Sequence, residues 1–234
     1  MKIDSHLYYL LAMLASIFFP LVLSFDRKVN FSQYFKDLIF SIPIVAILFT
    51  LGDMLYTYLG VWGFNSNYHL AYFVFNLPLE EISFFFFVPY ACLFIYEVIR
   101  AYFPCKSSLY LNTFLLLLSL VMALLAYIYS NKLYTSLSFS FSAAILVLMK
   151  WKNYPFNANL LLAYLLSILP FLLVNGFLTG MFMDEAIVWY NAEEIMGYRC
   201  LSIPIEDFSY SFNLISLNII LFESLKKRRA NQVQ

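Results

Sequence analysis

Leu77-Pro78-Leu79-Glu80-Glu81-Ile82-Ser83-Phe84 and Ile203-Pro204-Ile205-Glu206-Asp207-Phe208-Ser209-Tyr210 are near-copies of one another within one chain of 234 residues. Each places two carboxylates at the mouth of an apolar run. The register persists beyond them: Glu80 is followed by Glu97, and Glu206 by Glu223, at the same separation. A carboxylate at the edge of hydrocarbon is expensive and marks a candidate functional site. Two matched pairs point to acid–base chemistry on an apolar substrate.

Composition sets the class around these motifs. Hydrophobic residues make up 63% and charged residues 12% of the chain, with a mean hydropathy of +0.78. A water-soluble domain carries about 25% charged residues. The chain is therefore an integral membrane protein, with few residues left for a soluble domain. Cys92, Cys105 and Cys200 lack metal-ligand spacing, which argues against a zinc site or a structural disulfide. His6 and His69 are isolated, and neither a P-loop nor a Gly-x-Gly-x-x-Gly motif occurs. Chemistry without cofactor or metal is the economical expectation, with membrane lipid rather than nucleic acid as surroundings. The N-terminal segment lacks a basic region and a small-residue cleavage site, so Leu7 onward reads as a retained helix.

A spanning helix needs about 20 mostly apolar residues. Seven such spans are read near Leu7–Phe25, Ile39–Tyr58, Ile82–Phe103, Leu109–Tyr129, Leu133–Met149, Leu160–Leu178 and Ile205–Leu221. With the N-terminus outside, 11 of the 14 Lys and Arg fall in inner segments, Lys106 among them. Only Lys2, Lys132 and Arg199 fall outside, which fixes an N-out, C-in orientation by the positive-inside rule. The repeat then divides this all-α bundle into a three-span unit (1–105), a linking span (106–130) and a second three-span unit with a basic tail (131–234). An odd linker makes the two units parallel. Both acidic pairs then lie on the outer side, facing one cavity. The basic tail Lys226-Lys227-Arg228-Arg229 reads as a topology anchor.

Pro78 and Pro204 suit the first position of a helix. Acids in a first turn also complement the helix dipole, which is the bland reading of Glu80, Glu81, Glu206 and Asp207. Successive helical residues point about 100° apart, so one member of each pair faces the interior. Ser83 and Ser209 lie three residues on from Glu80 and Glu206 and share their faces. Glu80 and Glu206 are therefore the expected inward members, with Glu81 and Asp207 beside them. Asp53 closes the second span and needs either water or a role; Asp184 is its nearest analogue in the second half. The block Gly60-Val61-Trp62-Gly63-Phe64-Asn65 is echoed by Ile187-Val188-Trp189-Tyr190-Asn191. Trp62 and Trp189 fit an interfacial aromatic belt, while Asn65 and Asn191 after them suggest a shared binding site. Arg199 is a candidate partner for Glu206 or Asp207. The aromatic residues, including Phe84 and Tyr210, serve as packing or as a π-lined wall that stabilises a cation.

The proline-acid-acid signature at Pro78-Leu79-Glu80-Glu81 and Pro204-Ile205-Glu206-Asp207 resembles that of the membrane-embedded lycopene cyclases, in the form that fuses two small subunits into one chain. The resemblance extends over Tyr8-Tyr9-Leu10-Leu11, the Gly60–Asn65 block, Asn76–Tyr90 with Val88-Pro89-Tyr90, and Trp189–Asn191. Asp207 stands where the pattern more often has glutamate. The resemblance implies a cofactor-independent isomerase. It protonates a terminal double bond of lycopene, closes a ring on the cation and removes a proton to give a β-ionone end group. It also implies Glu80, Glu81, Glu206 and Asp207 as the acid–base set and a bacterial cytoplasmic membrane as the setting. A small seven-helix transporter or sensor with intramembrane acids is the alternative plan.

Overall fold

The computed structural model describes residues 4–105 and 108–233, so Lys2 and Lys106 of the charge pattern lie outside the described residues. Among the described residues, seven helices are long and apolar enough to cross a membrane. They are α1 (Tyr8–Leu23), α2 (Phe35–Tyr58), α3 (Leu79–Tyr102), α4 (Leu109–Ile128), α5 (Leu133–Lys152), α6 (Asn157–Leu178) and α7 (Ile205–Val233). The fold is all-α, as composition and span length require. Two ends differ from the sequence reading by more than three residues: α2 starts before Ile39, and α7 continues through the basic tail far beyond Leu221.

The tail stays helical because its cations find partners. Lys226 Nζ lies 2.6 Å from Glu97 and 3.2 Å from Glu223. Arg100 lies 2.9 Å from Glu97 and 2.7 Å from Glu223. Arg229 pairs with Asp37 at 2.9 Å. The carboxylates that repeat the register of the acidic motifs thus face one another across α3 and α7, and two cations neutralise them. An uncompensated pair of anions in that half-buried position would repel. At the opposite ends of the same two helices sit the acidic motifs, so α3 and α7 run parallel through the centre of the bundle.

Short strands occupy the connections at the motif end. Between α2 and α3 lie β1 (Trp62–Phe64), β2 (Phe73–Val74) and β3 (Leu77–Pro78); between α6 and α7 lie β4 (Val188–Tyr190), β5 (Arg199–Cys200) and β6 (Ile203–Pro204). β2–β3 and β5–β6 are hairpins whose last residues, Pro78 and Pro204, are paired strand residues rather than the first residues of a helix. The helices start one residue later because the hairpin hydrogen bonding continues: Leu79 N–H donates to Tyr72 O, and Ile205 N–H to Tyr198 O. Phe75 (φ 55°) and Leu201 (φ 59°) turn the two hairpins in the left-handed region that bulky residues rarely occupy.

β1 and β4 pair antiparallel across the two halves, with Gly63 opposite Trp189 at the centre. Asn65 N–H donates to Ile187 O, and Asn191 N–H to Val61 O. These reciprocal bonds define an internal two-fold relation. Residues from Val61 through α3 match residues 126 positions later, as Glu80 matches Glu206. Tyr9 of α1 matches Tyr134 of α5: Tyr9 N–H donates to Tyr68 O and Tyr134 N–H to Glu194 O. Phe35, which opens α2, matches Asn157, which opens α6. In this alignment Trp189 corresponds to Gly63, and Val188 to Trp62. The two tryptophans that echo each other in sequence are therefore one residue out of register.

Packing differs between the halves. Ser142 Oγ lies 2.6 Å from Ser209 Oγ and donates to Asn213 Oδ1 at 2.7 Å, while Asn213 Nδ2 donates to Ser138 O at 3.0 Å. This buried network ties α5 to α7. Interhelical hydrogen bonds of this kind are worth about 0.6 kcal/mol each within a bilayer. The equivalent of Asn213 on α3 is Phe87, so α1 meets α3 through apolar packing at that level.

Candidate active site

A cavity opens between α1, α3, α6 and α7 under the β1–β4 pair. Its wall on α3 runs from Glu81 to Ile95, about 21 Å along the helix at 1.5 Å per residue. The shaft is mostly apolar, with Val88, Ala91, Ile95, Pro170, Leu214 and Ile215 on it beside the hydroxyls of Ser16, Ser167 and Ser211. Polar groups gather at the motif end: Tyr9, Asp53, Glu81, Tyr134, Asn175, Tyr190, Asp207 and Tyr210. Trp62 and Phe84 complete an aromatic wall there.

All four acids are buried, but those that line the cavity are Glu81 and Asp207, which corrects the expectation that Glu80 and Glu206 are the members facing it. Glu80 Oε1 accepts from Leu70 N–H at 2.8 Å, and Glu206 Oε1 accepts from Met196 N–H at 2.5 Å. Leu70 and Met196 are equivalent positions in the loops that precede the hairpins. Thr135 Oγ1 also donates to Glu206 Oε1 at 2.5 Å. The hairpins thus fold back over the helix mouths, and the first acid of each pair captures the returning backbone. The serines three residues on also turn away from the cavity: Ser83 donates to Glu80 O, and Ser209 joins the buried α5 network.

Glu81 and Asp207 keep different company. The Tyr9 hydroxyl donates to Glu81 Oε2. Asp53, also buried, lines the same end of the cavity as Glu81 and Trp62. Asp53 Oδ2 has no partner among the described residues. Asp207 accepts three hydrogen bonds: from Tyr134 Oη at 2.7 Å, Asn175 Nδ2 at 2.7 Å and Tyr190 Oη at 2.8 Å. Burial and the Asp207 charge push the Tyr190 phenol well above its ordinary range, so it remains a donor. Tyr210 Oη also reaches the cavity without a partner among the described residues.

The second-half counterpart of Asp53 is Asn175, not Asp184. Asn76 Nδ2 donates to Met54 O, and Ser202 Oγ, its equivalent, donates to Gly176 O. The residues just before those acceptors are Asp53 and Asn175. Asp184 is exposed in the longer α6–β4 connection. Arg199 makes no pair with Glu206 or Asp207: it donates to Ser202 O, and its guanidinium lies over the Tyr190 ring. Trp189 is half-exposed and covers Gly63 instead of lining the cavity. Asn65 and Asn191 shape loops, each Oδ1 accepting from the backbone N–H two residues on. The sequence reading missed Tyr9, Tyr134, Asn175 and Tyr190 as site residues. Tyr9 and Tyr134 carried the one available signal, a tyrosine in the first turn of the first helix of each half.

A family model described as lycopene cyclase matches the chain twice, over residues 6–99 and 131–225. The unmatched stretch between them contains α4. No curated protein and no solved structure matches the chain.

Proposed function

The chain belongs to the lycopene cyclase family, and from that premise we propose that it converts linear ends of lycopene into β-ionone rings by acid–base isomerisation. The observation that carries this reading is the cavity itself: a long, mostly apolar slot whose carboxyl, phenol and amide groups are confined to one end. Such a slot suits a rod-like hydrocarbon that reacts only at its tip. Lycopene dissolves in the bilayer, and the slot lies within the spanning helices.

The reaction is an isomerisation, so every proton added is returned. A carboxylic acid protonates the terminal double bond and leaves a tertiary cation. The internal double bond attacks it, closing a six-membered ring and moving the cation into the ring. A carboxylate then removes a proton from the ring carbon that formed the new bond, next to the cationic carbon, which gives the β double bond. General acid–base catalysis needs two carboxyls held in different environments. In our reading Glu81, with Asp53 as an acidic neighbour and no cation in contact among the described residues, holds the proton that is donated. Asp207, whose three donors suit a carboxylate, receives the proton that leaves. Trp62, Phe84 and Tyr210 present ring faces to the intermediate cation. Glu80 and Glu206 hold the hairpins over the site. The units 1–105 and 131–234 act as one catalytic body, with 106–130 as a linker. The carboxylate end faces outward in a bacterial cytoplasmic membrane, because the cations gather at the other end.

Expression in a host that accumulates lycopene, followed by pigment chromatography, tests the reading. Conversion to β-carotene or to its one-ring precursor is expected. Unchanged lycopene in membranes that contain abundant inserted protein would overturn it.

A further inference from the structure

The internal two-fold relation predicts two equivalent slots, yet the halves leave unequal space. The open slot is lined by Ser16 of α1 and Ser211 of α7. Their equivalents, by the registers that pair Tyr9 with Tyr134 and Glu81 with Asp207, are Phe141 of α5 and Phe85 of α3. On the mirror side, between α2, α3, α5 and α7, those two rings converge on Phe49. Centroids lie 6.2 Å apart for Phe49–Phe85 and 6.2 Å for Phe49–Phe141, and Tyr210 meets Phe49 edge-on at 5.2 Å. Phe85 is fully buried in this cluster with Val45, Ala46 and Leu214. Phe171, the equivalent of Phe49, lines the open slot and packs edge-on against Phe208 at 5.0 Å. At two facing positions, then, a hydroxymethyl group leaves space where a benzyl group fills it.

We propose that the chain has a single working chamber, on the α1–α6 side, that takes one end of a linear polyene at a time, while Phe85 and Phe141 plug its mirror image. The identity of the polyene rests on the cyclase reading; the chamber rests on the packing alone. A substrate with two reactive ends must then leave and return reversed. The one-ring carotenoid is released as an intermediate rather than carried forward within the protein.

The test uses the full chain purified in mild detergent from lycopene-loaded membranes, with bound carotenoid counted by absorbance. Wild type retains up to one carotenoid per chain. S16F and S211F, which fill the chamber from two different helices, retain less than a tenth of that, whereas F141S stays within twofold of wild type. Gel filtration confirms folding, and S16F, on the peripheral α1, stands if S211F misfolds. Full retention by both filled variants, loss in F141S, or none in wild type overturns the chamber. In lycopene vesicles, free one-ring product rises before two-ring product; two-ring product without it overturns the one-end-at-a-time scheme. The two readings fail separately. A wild-type chain that retains lycopene but forms no ring removes the cyclase reading and leaves the chamber. Ring formation at the wild-type rate in S16F and S211F does the reverse.

Discussion

Glu81 and Asp207 occupy equivalent places in the two halves and differ in what surrounds them. Glu81 has one phenol donor and a carboxylate neighbour, Asp53. Asp207 has two phenol donors and an amide, Asn175, where the first half has Asp53. The backbone scaffold is shared; the chemistry diverges through single-residue exchanges, Asp53 against Asn175 and Phe64 against Tyr190. A two-fold frame can therefore hold an acid and a base at matched positions and tell them apart by their neighbours alone.

The comparison breaks most visibly at the carboxyls themselves. E81Q and D207N are each expected to slow cyclisation by about 10²–10⁴-fold, the usual worth of general acid–base catalysis. E80Q and E206Q keep the Oε1 acceptor that binds the loop backbone and should stay within a few-fold of wild type. Initial rates of ring formation in vesicles measure all four, and equal losses across the set would remove the distinction between the acids that line the cavity and those that hold the loops. A smaller effect sharpens the contrast between the halves. Y190F gives the second half the phenylalanine of the first and deletes one donor to a charged group, worth about 1.5–3 kcal/mol. It should slow turnover about tenfold or more, while the reciprocal F64Y changes it less than twofold; similar rates for the two would show that Tyr190 does not serve Asp207. The least effect on rate is expected at the strand pair between the halves. A Cβ on Gly63 would sit 2.3 Å from the Trp189 ring. G63A should therefore lower stability by about 1–3 kcal/mol, the usual range for overpacking, read as a lower unfolding temperature in detergent. W189A/G63A should recover part of that loss.

The fold was legible because hydrocarbon thickness imposes spans of about 20 apolar residues, and because the acidic motif repeats in a fixed register with Glu97 and Glu223. Which acid faces the cavity was not legible. The 100° step between Glu80 and Glu81 is certain, but the rotation of α3 is set by the connection before it, whose backbone reaches Glu80 through Leu70 in the loop ahead of the β2–β3 hairpin. Asn175 was hidden for another reason. Between this position and the strand pair the second half carries four more residues than the first, so the nearest acid before Trp189 is Asp184 in the insertion, five residues back rather than the nine that separate Asp53 from Trp62. The tryptophans misled in the same way, because matching Trp62 to Trp189 overrides the one-residue shift fixed by Asn65 and Asn191.

The reciprocal bonds of β1 and β4 make each half the complement of the other, the relation that an isologous dimer requires of identical partners. In a dimer of identical chains, any substitution appears on both sides of the axis. Joining the halves through α4 lifts that constraint while keeping their stoichiometry at one to one. A phenylalanine can then close one side as a serine opens the other, and an aspartate can stand opposite an asparagine. The covalent link is thus a licence for divergence: it lets a symmetric scaffold acquire a handed reaction path without losing the contacts by which its halves recognise each other.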